Sequence, residues 1–310
     1  MQKPYGLMLH HFKDEKHPDG QGAITSDQFA DIIEFMGPKN FLGPQEWIER
    51  AIKDRLEPSD RCITLDDALL CQYEVAAPVM ESYGLTAFWF VYSSVFLGNI
   101  EPLEIYRYFR SVRYPDIDDF YTAFFDQLDA SEYRAEFRAK TEGFNPATYL
   151  SGFSFYTDND RKFRYVRDHV LGPTRYFEIM DQMIANDAGF SVQEAAKSLW
   201  MSDAHLIDLD RKGHVIGLHS FSHPTAMGAL SREKQQEEYT RNYHHLSNVI
   251  GRPPMTMSHP CNSYNSDTLA VLDNLGVEIG FRANLEPSNA SRYEYPRDDH
   301  AHVMQKMGLR

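Results

Sequence analysis

The chain has 310 residues, of which 25% are charged and 42% hydrophobic, enough for one large α/β domain or two smaller ones with a sizeable core. A formal charge of −14, with no run of five basic residues, excludes a nucleic-acid footprint and a polybasic membrane anchor. The three cysteines (Cys62, Cys71 and Cys261) are odd in number and form no disulfide framework, and the longest apolar stretch, 85–98, is too short to span a bilayer.

Residues 1–12, MQKPYGLMLHHF, lack the apolar core of a signal peptide, so a cytoplasmic location is expected. Residues 5–12 form a short apolar run that ends in His10 and His11. Thr25 and Gln28 have capping-box spacing, and the helix they open buries Phe29, Ile32, Ile33 and Met36. Pro44 starts a second helix with Trp47, Ile48, Ala51 and Ile52 inward. A strand at 62–65 and another at 85–91 flank a helical stripe of Ala76, Val79, Met80 and Tyr83.

The texture changes at about residue 93. As far as 190 the chain shows helical faces and no strand: Ile105, Tyr108, Phe109 and Val112; Phe120, Phe124, Phe125 and Leu128; Tyr176, Phe177, Met180 and Ile184. Strand–helix alternation then resumes. Ser202 caps a short helix, 214–218 is a strand, and 231–250 is a long helix with Tyr239, Tyr243, Leu246 and Ile250 inward. A strand at 256–259, a helix capped by Ser266 and a strand at 277–281 follow. Repeated βα units imply parallel strands with right-handed crossovers, and functional residues at the strands' C-terminal ends.

Four strand ends carry reactive side chains: His10-His11, Asp66-Asp67, the pair His219 and His223, and 258–261, Ser-His-Pro-Cys. The two histidines, four apart, can share one side of a helical turn. With a carboxylate they supply Asp, His and His, three metal ligands that leave a position open for water, as in catalytic sites. Adjacent acids after a strand point in different directions, so one can bind a metal while the other accepts a proton.

These segments resemble the polysaccharide deacetylase family, with its NodB-homology or carbohydrate esterase family 4 domain. Residues 64–68, T-L-D-D-A, are similar to its T-F-D-D-G motif, and 213–223, G-H-V-I-G-L-H-S-F-S-H, to G-H-E-I-G-x-H-(S/T)-x-x-H. Residues 259–265, H-P-C-N-S-Y-N, resemble Y-P-Y-G-x-Y-N, and the strand at 85–91 and the opening Leu9-His10-His11-Phe12 also have family counterparts. The resemblance implies a distorted (β/α) barrel over 1–92 and 191–310, interrupted by a helical insertion at 93–190 that serves as lid or dimer surface. It implies one divalent metal, Zn²⁺ foremost with Co²⁺, Ni²⁺, Mn²⁺ or Fe²⁺ as options, on Asp67, His219 and His223. Asp66 is then the general base, and His10, His259, Pro260 and Cys261 contact substrate or the oxyanion.

The chain departs from the family pattern at Ala68, Ser258 and Asn262, where the family usually has Gly, Arg and Gly. It has no D-x-x-D-W motif, and no L-x-L-H motif near its C-terminus to supply the histidine that protonates the leaving amine. His11, His259, His300 and His302 are the candidates for that acid, with His11 favoured. The expected activity is hydrolysis of an N-acetyl or N-formyl group on an amino sugar, nucleotide- or lipid-linked, in the making of a surface polysaccharide such as O-antigen or capsule. A hydrolase of a non-sugar C–N bond and a catalytically silent carbohydrate-binding module are the alternatives.

Overall fold

Among the described residues (3–151, 156–286 and 291–309 of a computed structural model) seven parallel strands form one sheet. They are β1 (Tyr5–Leu9), β2 (Arg61–Asp66), β3 (Ala87–Val91), β4 (Val215–Leu218), β5 (Thr256–Ser258), β6 (Ile279–Phe281) and β7 (Arg297–Asp299), in the order β6-β5-β4-β3-β2-β1-β7. The segment before β7 closes this sheet towards a barrel. Residues 292–295 exchange backbone hydrogen bonds with Gly280 and Arg282 beside β6, and β7 then pairs with β1. The sequence reading places no strand there, because three residues rich in charge give no apolar run. The expected distorted (β/α) barrel is the observed fold.

β2 and β3 are buried along their whole length, as parallel strands covered on both faces must be. Side chains alternate, so each strand sends every second residue into the barrel. Phe88 and Phe90 of β3 meet Phe281 of β6 there, at ring-centroid distances of 5.2 and 5.5 Å. Trp47, from the helix Pro44–Ile52, packs on Phe281 at 6.0 Å and joins the same core cluster. Gly217 of β4 faces Phe90 and Thr256 so closely that a Cβ would come within 2.7 Å of the ring and 2.5 Å of the hydroxyl. Gly6 of β1 likewise leaves room for Thr64 and the stem of Arg297.

Several local expectations hold. Thr25 and Gln28 form the capping box of the helix Ser26–Met36, and Pro44 sits in the first turn of its helix. Others shift. Asn265, not Ser266, caps the helix Ser266–Asn274, its carboxamide oxygen accepting from the N–H groups of Asp267 and Thr268. On the helix Arg232–Ile250 the buried residues are Gln235, Tyr239, Asn242 and Leu246, and the polar Gln235 and Asn242 take core positions that apolar periodicity does not mark.

The chain divides into two compact units, Met1–Glu101 with Leu199–Arg310, and Pro102–Ser198. The boundaries lie about nine residues beyond the expected 92 and 190, since 93–101 group with the barrel. The second unit is helical, from Pro102–Arg113 through Gly172–Asn186, around Phe109, Phe120, Phe124, Phe163 and Tyr176. Val112, expected inward, is exposed, while Tyr106 and Tyr121 are buried. Residues 152–155 of this stretch lie outside the described residues. No helix among the described residues is long and apolar enough to cross a membrane, and the three cysteines are free thiols.

His214 of the second motif is a packing residue. Its Nδ1 accepts the N–H of Ala87 at 3.0 Å, and its ring stands edge-on to Trp89. Burial holds it neutral and pushes its pKa down to about 4. The unfolded chain protonates the same residue near its ordinary value of about 6.5. Stability is therefore lost as pH falls from about 6.5 to about 4, by up to ~1.4 kcal/mol per pH unit from this group. Urea unfolding of wild type and His214→Gln between pH 7 and 5 should show the steeper decline in wild type; parallel declines would remove His214 as the cause.

Candidate active site

The strand ends converge on one mouth. β2 carries Cys62, Thr64 and Asp66 on its inward face, and Asp67 follows at the turn. β4 continues inward from Gly217 to His219. Ligand atoms of Asp67, His219 and His223 all lie within 4.8 Å of one another. The Nε2 atoms of His219 and His223 stand 3.5 and 3.4 Å from Asp67 Oδ1. That oxygen is buried and has no hydrogen-bond partner. A buried carboxylate oxygen aimed at two imidazole nitrogens, with no donor to satisfy it, is a donor set suited to a divalent ion.

The histidine pair lies on a loop and not on the helical turn that its spacing suggests. Ser220 and His223 adopt left-handed backbone conformations, at φ 65° and 55°. These two reversals bring the rings to 4.9 Å between centroids. Asp67 and Ala68 (φ 80° and 56°) and Cys261 and Asn262 (φ 49° and 56°) do the same in the other two motif loops. Six of the eight positive-φ non-glycine residues among the described residues thus belong to this one site. Ala68 and Asn262 hold backbone turns that the family gives to glycine, and the methyl or carboxamide is carried there under strain.

The surrounding groups fix each candidate ligand. His219 Nδ1 lies 2.9 Å from the carbonyl oxygen of Ser258, which can only accept, so Nδ1 carries the proton and Nε2 is left as the ligand atom. His223 packs on the ring of Tyr92, whose hydroxyl accepts from Trp200 Nε1 at 2.6 Å. Buried Gln72 donates to the carbonyls of both His10 and Asp66, tying the ends of β1 and β2. Burial opposes charge on Asp67, but the imidazoles of His223, His219 and His10 outweigh it and hold the carboxyl far below the usual range.

Asp66 is gripped by a residue that the sequence reading missed. Arg297 of β7 donates to both carboxylate oxygens, each at 2.7 Å, with neither side chain more than 3% exposed. Its remaining donors reach the carbonyl of Arg282 and the hydroxyl of Thr64. Burial pushes the Asp66 carboxyl up, and Arg297, then His219, more than offset it, so Asp66 titrates below the usual range. Ser258, which stands where the family has an arginine, donates to Asp66 Oδ1 at 3.3 Å. The guanidinium thus arrives from a different strand, and only tertiary structure reveals it.

His10 sets Nε2 at 3.9 Å from Asp66 and 4.0 Å from Asp67, and His11 stacks on it with centroids 6.4 Å apart. The signal for His10 was present: Leu7-Met8-Leu9-His10 reads L-x-L-H, at the N-terminal rather than the C-terminal end of the chain. Alternation agrees, since Gly6 and Met8 precede His10 on the inward register. The other candidate acids are corrected. His259 is buried, stacked on Tyr264 and bonded through Nε2 to the carbonyl of Tyr293, and burial pushes it down to about 3. Its ring is thus held in packing, 1% exposed. His300 bonds to the Gly22 carbonyl, and His302 pairs with Asp298. Pro260 is buried at the start of a 3-10 turn, and Cys261 is exposed on it.

A parallel barrel with an Asp-His-His cluster beside an Arg-held carboxylate is a (β/α) barrel with a candidate metal centre. Residues 174–280 match the family model described as polysaccharide deacetylase. No curated protein sequence matches the chain. Among solved structures, the Streptococcus pyogenes deacetylase PplD in complex with acetate is 14% identical, with 98% of each chain covered and a TM-score of 0.56. IcaB from Ammonifex degensii is 12% identical, covering 100% of this chain and 97% of its own, at 0.58. A de-N-acetylase from Aggregatibacter actinomycetemcomitans is 12% identical over 98% of each chain, at 0.56. At such identities the shared feature is the fold. The chain thus shares the fold of the solved deacetylases and matches the polysaccharide deacetylase model over 174–280.

Two outcomes are expected. Arg297→Met should cost about 3–5 kcal/mol, because Asp66 is left buried and charged without its partner. Adding Asp66→Asn should recover part of that loss. Urea unfolding checks this, and a loss under ~1 kcal/mol would mean that the pair does not hold the barrel. Zn²⁺ supplied to the wild type should bind at about one ion per chain by elemental analysis, with ligand loss in Asp67→Ala and His219→Ala abolishing it; equal metal in all three would place the ion elsewhere.

Proposed function

We propose that the chain is a metal-dependent N-deacetylase of an acylated amino sugar. The observation that carries this reading is the juxtaposition of the Asp67, His219 and His223 ligand atoms with the Asp66 carboxylate and the His10 ring. A divalent ion held by Asp67, His219 and His223 would lower the pKa of a coordinated water towards neutrality and polarise the amide carbonyl.

The protein's own groups do the rest. Asp66, kept ionised by Arg297, accepts a proton from the attacking water. Arg297 and Ser258 hold that carboxylate in place. His10, and not the His11 that the sequence favours, is within reach to give a proton through Nε2 to the departing amine nitrogen. The left-handed turn at Cys261 and Asn262 presents the backbone that would face the oxyanion. The amide C–N bond breaks, the acyl carbon leaves as a carboxylate and the sugar keeps its amine.

The substrate is an N-acetylated sugar of a surface polysaccharide or its nucleotide- or lipid-linked precursor. The relatives' descriptions as polysaccharide deacetylases support the polymer end of that range. The test is acetate release from N-acetylglucosamine oligomers and from a nucleotide-linked N-acetyl sugar, with Zn²⁺ or Co²⁺ supplied. Asp66→Asn and His10→Ala should each lower kcat by about 10²–10⁴-fold with metal content unchanged. Wild-type-like turnover in both variants, or no release from any acylated sugar by metal-loaded protein, would sink the reading.

A further inference from the structure

The loop between the two candidate ligands is held by a helix that no motif includes. On Arg232–Ile250, Glu238 and Asn242 are one turn apart and face the same way. Asn242 is fully buried. Its Oδ1 accepts the His219 N–H at 3.0 Å, a hydrogen shared with the Val91 carbonyl at 3.2 Å, and its Nδ2 donates to that carbonyl at 2.9 Å and to Ser93 Oγ at 2.6 Å. Glu238 Oε2 accepts the N–H groups of Phe221 and Ser222 at 3.0 and 2.8 Å, and its Oε1 accepts the Ser222 hydroxyl at 2.7 Å. The Phe221 carbonyl in turn accepts from the N–H groups of Ser93 and Ser94. Arg241, on the same helix, lies 3.4 Å over the Phe221 ring.

We propose that Glu238 and Asn242 are positioning residues that hold 219–222 in the shape that presents His219 and His223 to a metal. The proposal rests on the metal-hydrolase reading above. The three successive loop residues beyond His219 lie outside the sheet, yet both backbone groups of Phe221 and the N–H of Ser222 have partners. The Glu238 carboxylate holds Phe221 and Ser222, and the Asn242 carboxamide, from the same helix face, holds the N–H of His219 where the loop begins. A loop that turns left-handed at Ser220 and again at His223 does not keep that shape by local preference. The clamp therefore orders the ligands before metal arrives.

Ser93 also reaches His245 Nδ1 at 2.8 Å, and His245 Nε2 lies 3.2 Å from Asp203. The order Ser-His-Asp suggests a nucleophile, but Ser93 is fully buried and its hydroxyl already meets Asn242. This branch extends the support of Asn242 to the surface.

The test compares wild type, Glu238→Ala, Glu238→Gln, Asn242→Ala and the exposed control Gln236→Ala. Zn²⁺ affinity is read by competition with a chelator, and amide hydrogen exchange at 219, 221 and 222 is read on metal-free protein. Glu238→Ala should weaken Zn²⁺ binding by about 10–100-fold and speed exchange at 221 and 222. Glu238→Gln, whose amide oxygen still accepts both N–H groups, should stay within about threefold of wild type, and Gln236→Ala should match it. Asn242→Ala should speed exchange at 219; because that residue is fully buried and its loss risks unfolding, half-exposed Glu238 carries the test alone if it does. A folded Glu238→Ala with wild-type Zn²⁺ affinity, or with unchanged exchange, overturns the proposal. A wild type that takes up no Zn²⁺ overturns the functional reading and the metal role of the clamp with it, and is told apart because it shows before any variant is made.

Discussion

The buried ion pair between Arg297 and Asp66 constrains everything else in the barrel. It joins the last strand to the second and fixes the side chain on which the proposed chemistry turns. Neither charge could be buried alone, since an unpaired ion in the interior costs several kcal/mol, roughly the stability of a whole domain. The bidentate geometry, with Thr64, Ser258 and the Arg282 carbonyl taking the remaining capacity, removes that cost. Gly6 eases the arrangement, because a Cβ there would lie 3.2 Å from the arginine stem and crowd it.

Around that pair the backbone is strained where the chemistry is. Each left-handed non-glycine residue costs about 1–2 kcal/mol, and three motif loops hold two apiece. A hydrogen bond to a charged acceptor returns about 1.5–3 kcal/mol, so the grip of Glu238 on Phe221 and Ser222 is large enough to offset the turns at Ser220 and His223. Rigid support from Gln72, Ser258 and Tyr92 extends the same logic to Asp66, His219 and His223. The site is ordered by its surroundings and not by the preferences of its own loops.

The family match is partial and begins inside the helical unit. Residues 174–280 contain the histidine motif and 259–265, but His10, Asp66 and Asp67 lie far upstream of the matched segment. The chain reaches them through β1 and β2 before Pro102–Ser198 intervenes. The guanidinium that grips Asp66 also lies outside the matched segment, on β7, and His10 follows β1.

What the sequence alone determined is the set of local patterns. Apolar runs bounded by turns mark six of the seven strands, the Thr25–Gln28 and Pro44 signals start two helices, and the acid and histidine motifs name Asp66, Asp67, His219 and His223. These are short-range features, written in adjacent residues or at helical and strand periods. Tertiary structure alone decided the pairings between distant residues. Arg297 looks like an ordinary loop cation until β7 sets it beside β1, and Asn242 interrupts an apolar stripe until its helix is seen to face His219. The choice of His10 over His11 turns on which side of one strand faces inward, and the mutual approach of His219 and His223 turns on two left-handed residues. No local preference encodes those, because the interactions that stabilise them come from side chains far away along the chain.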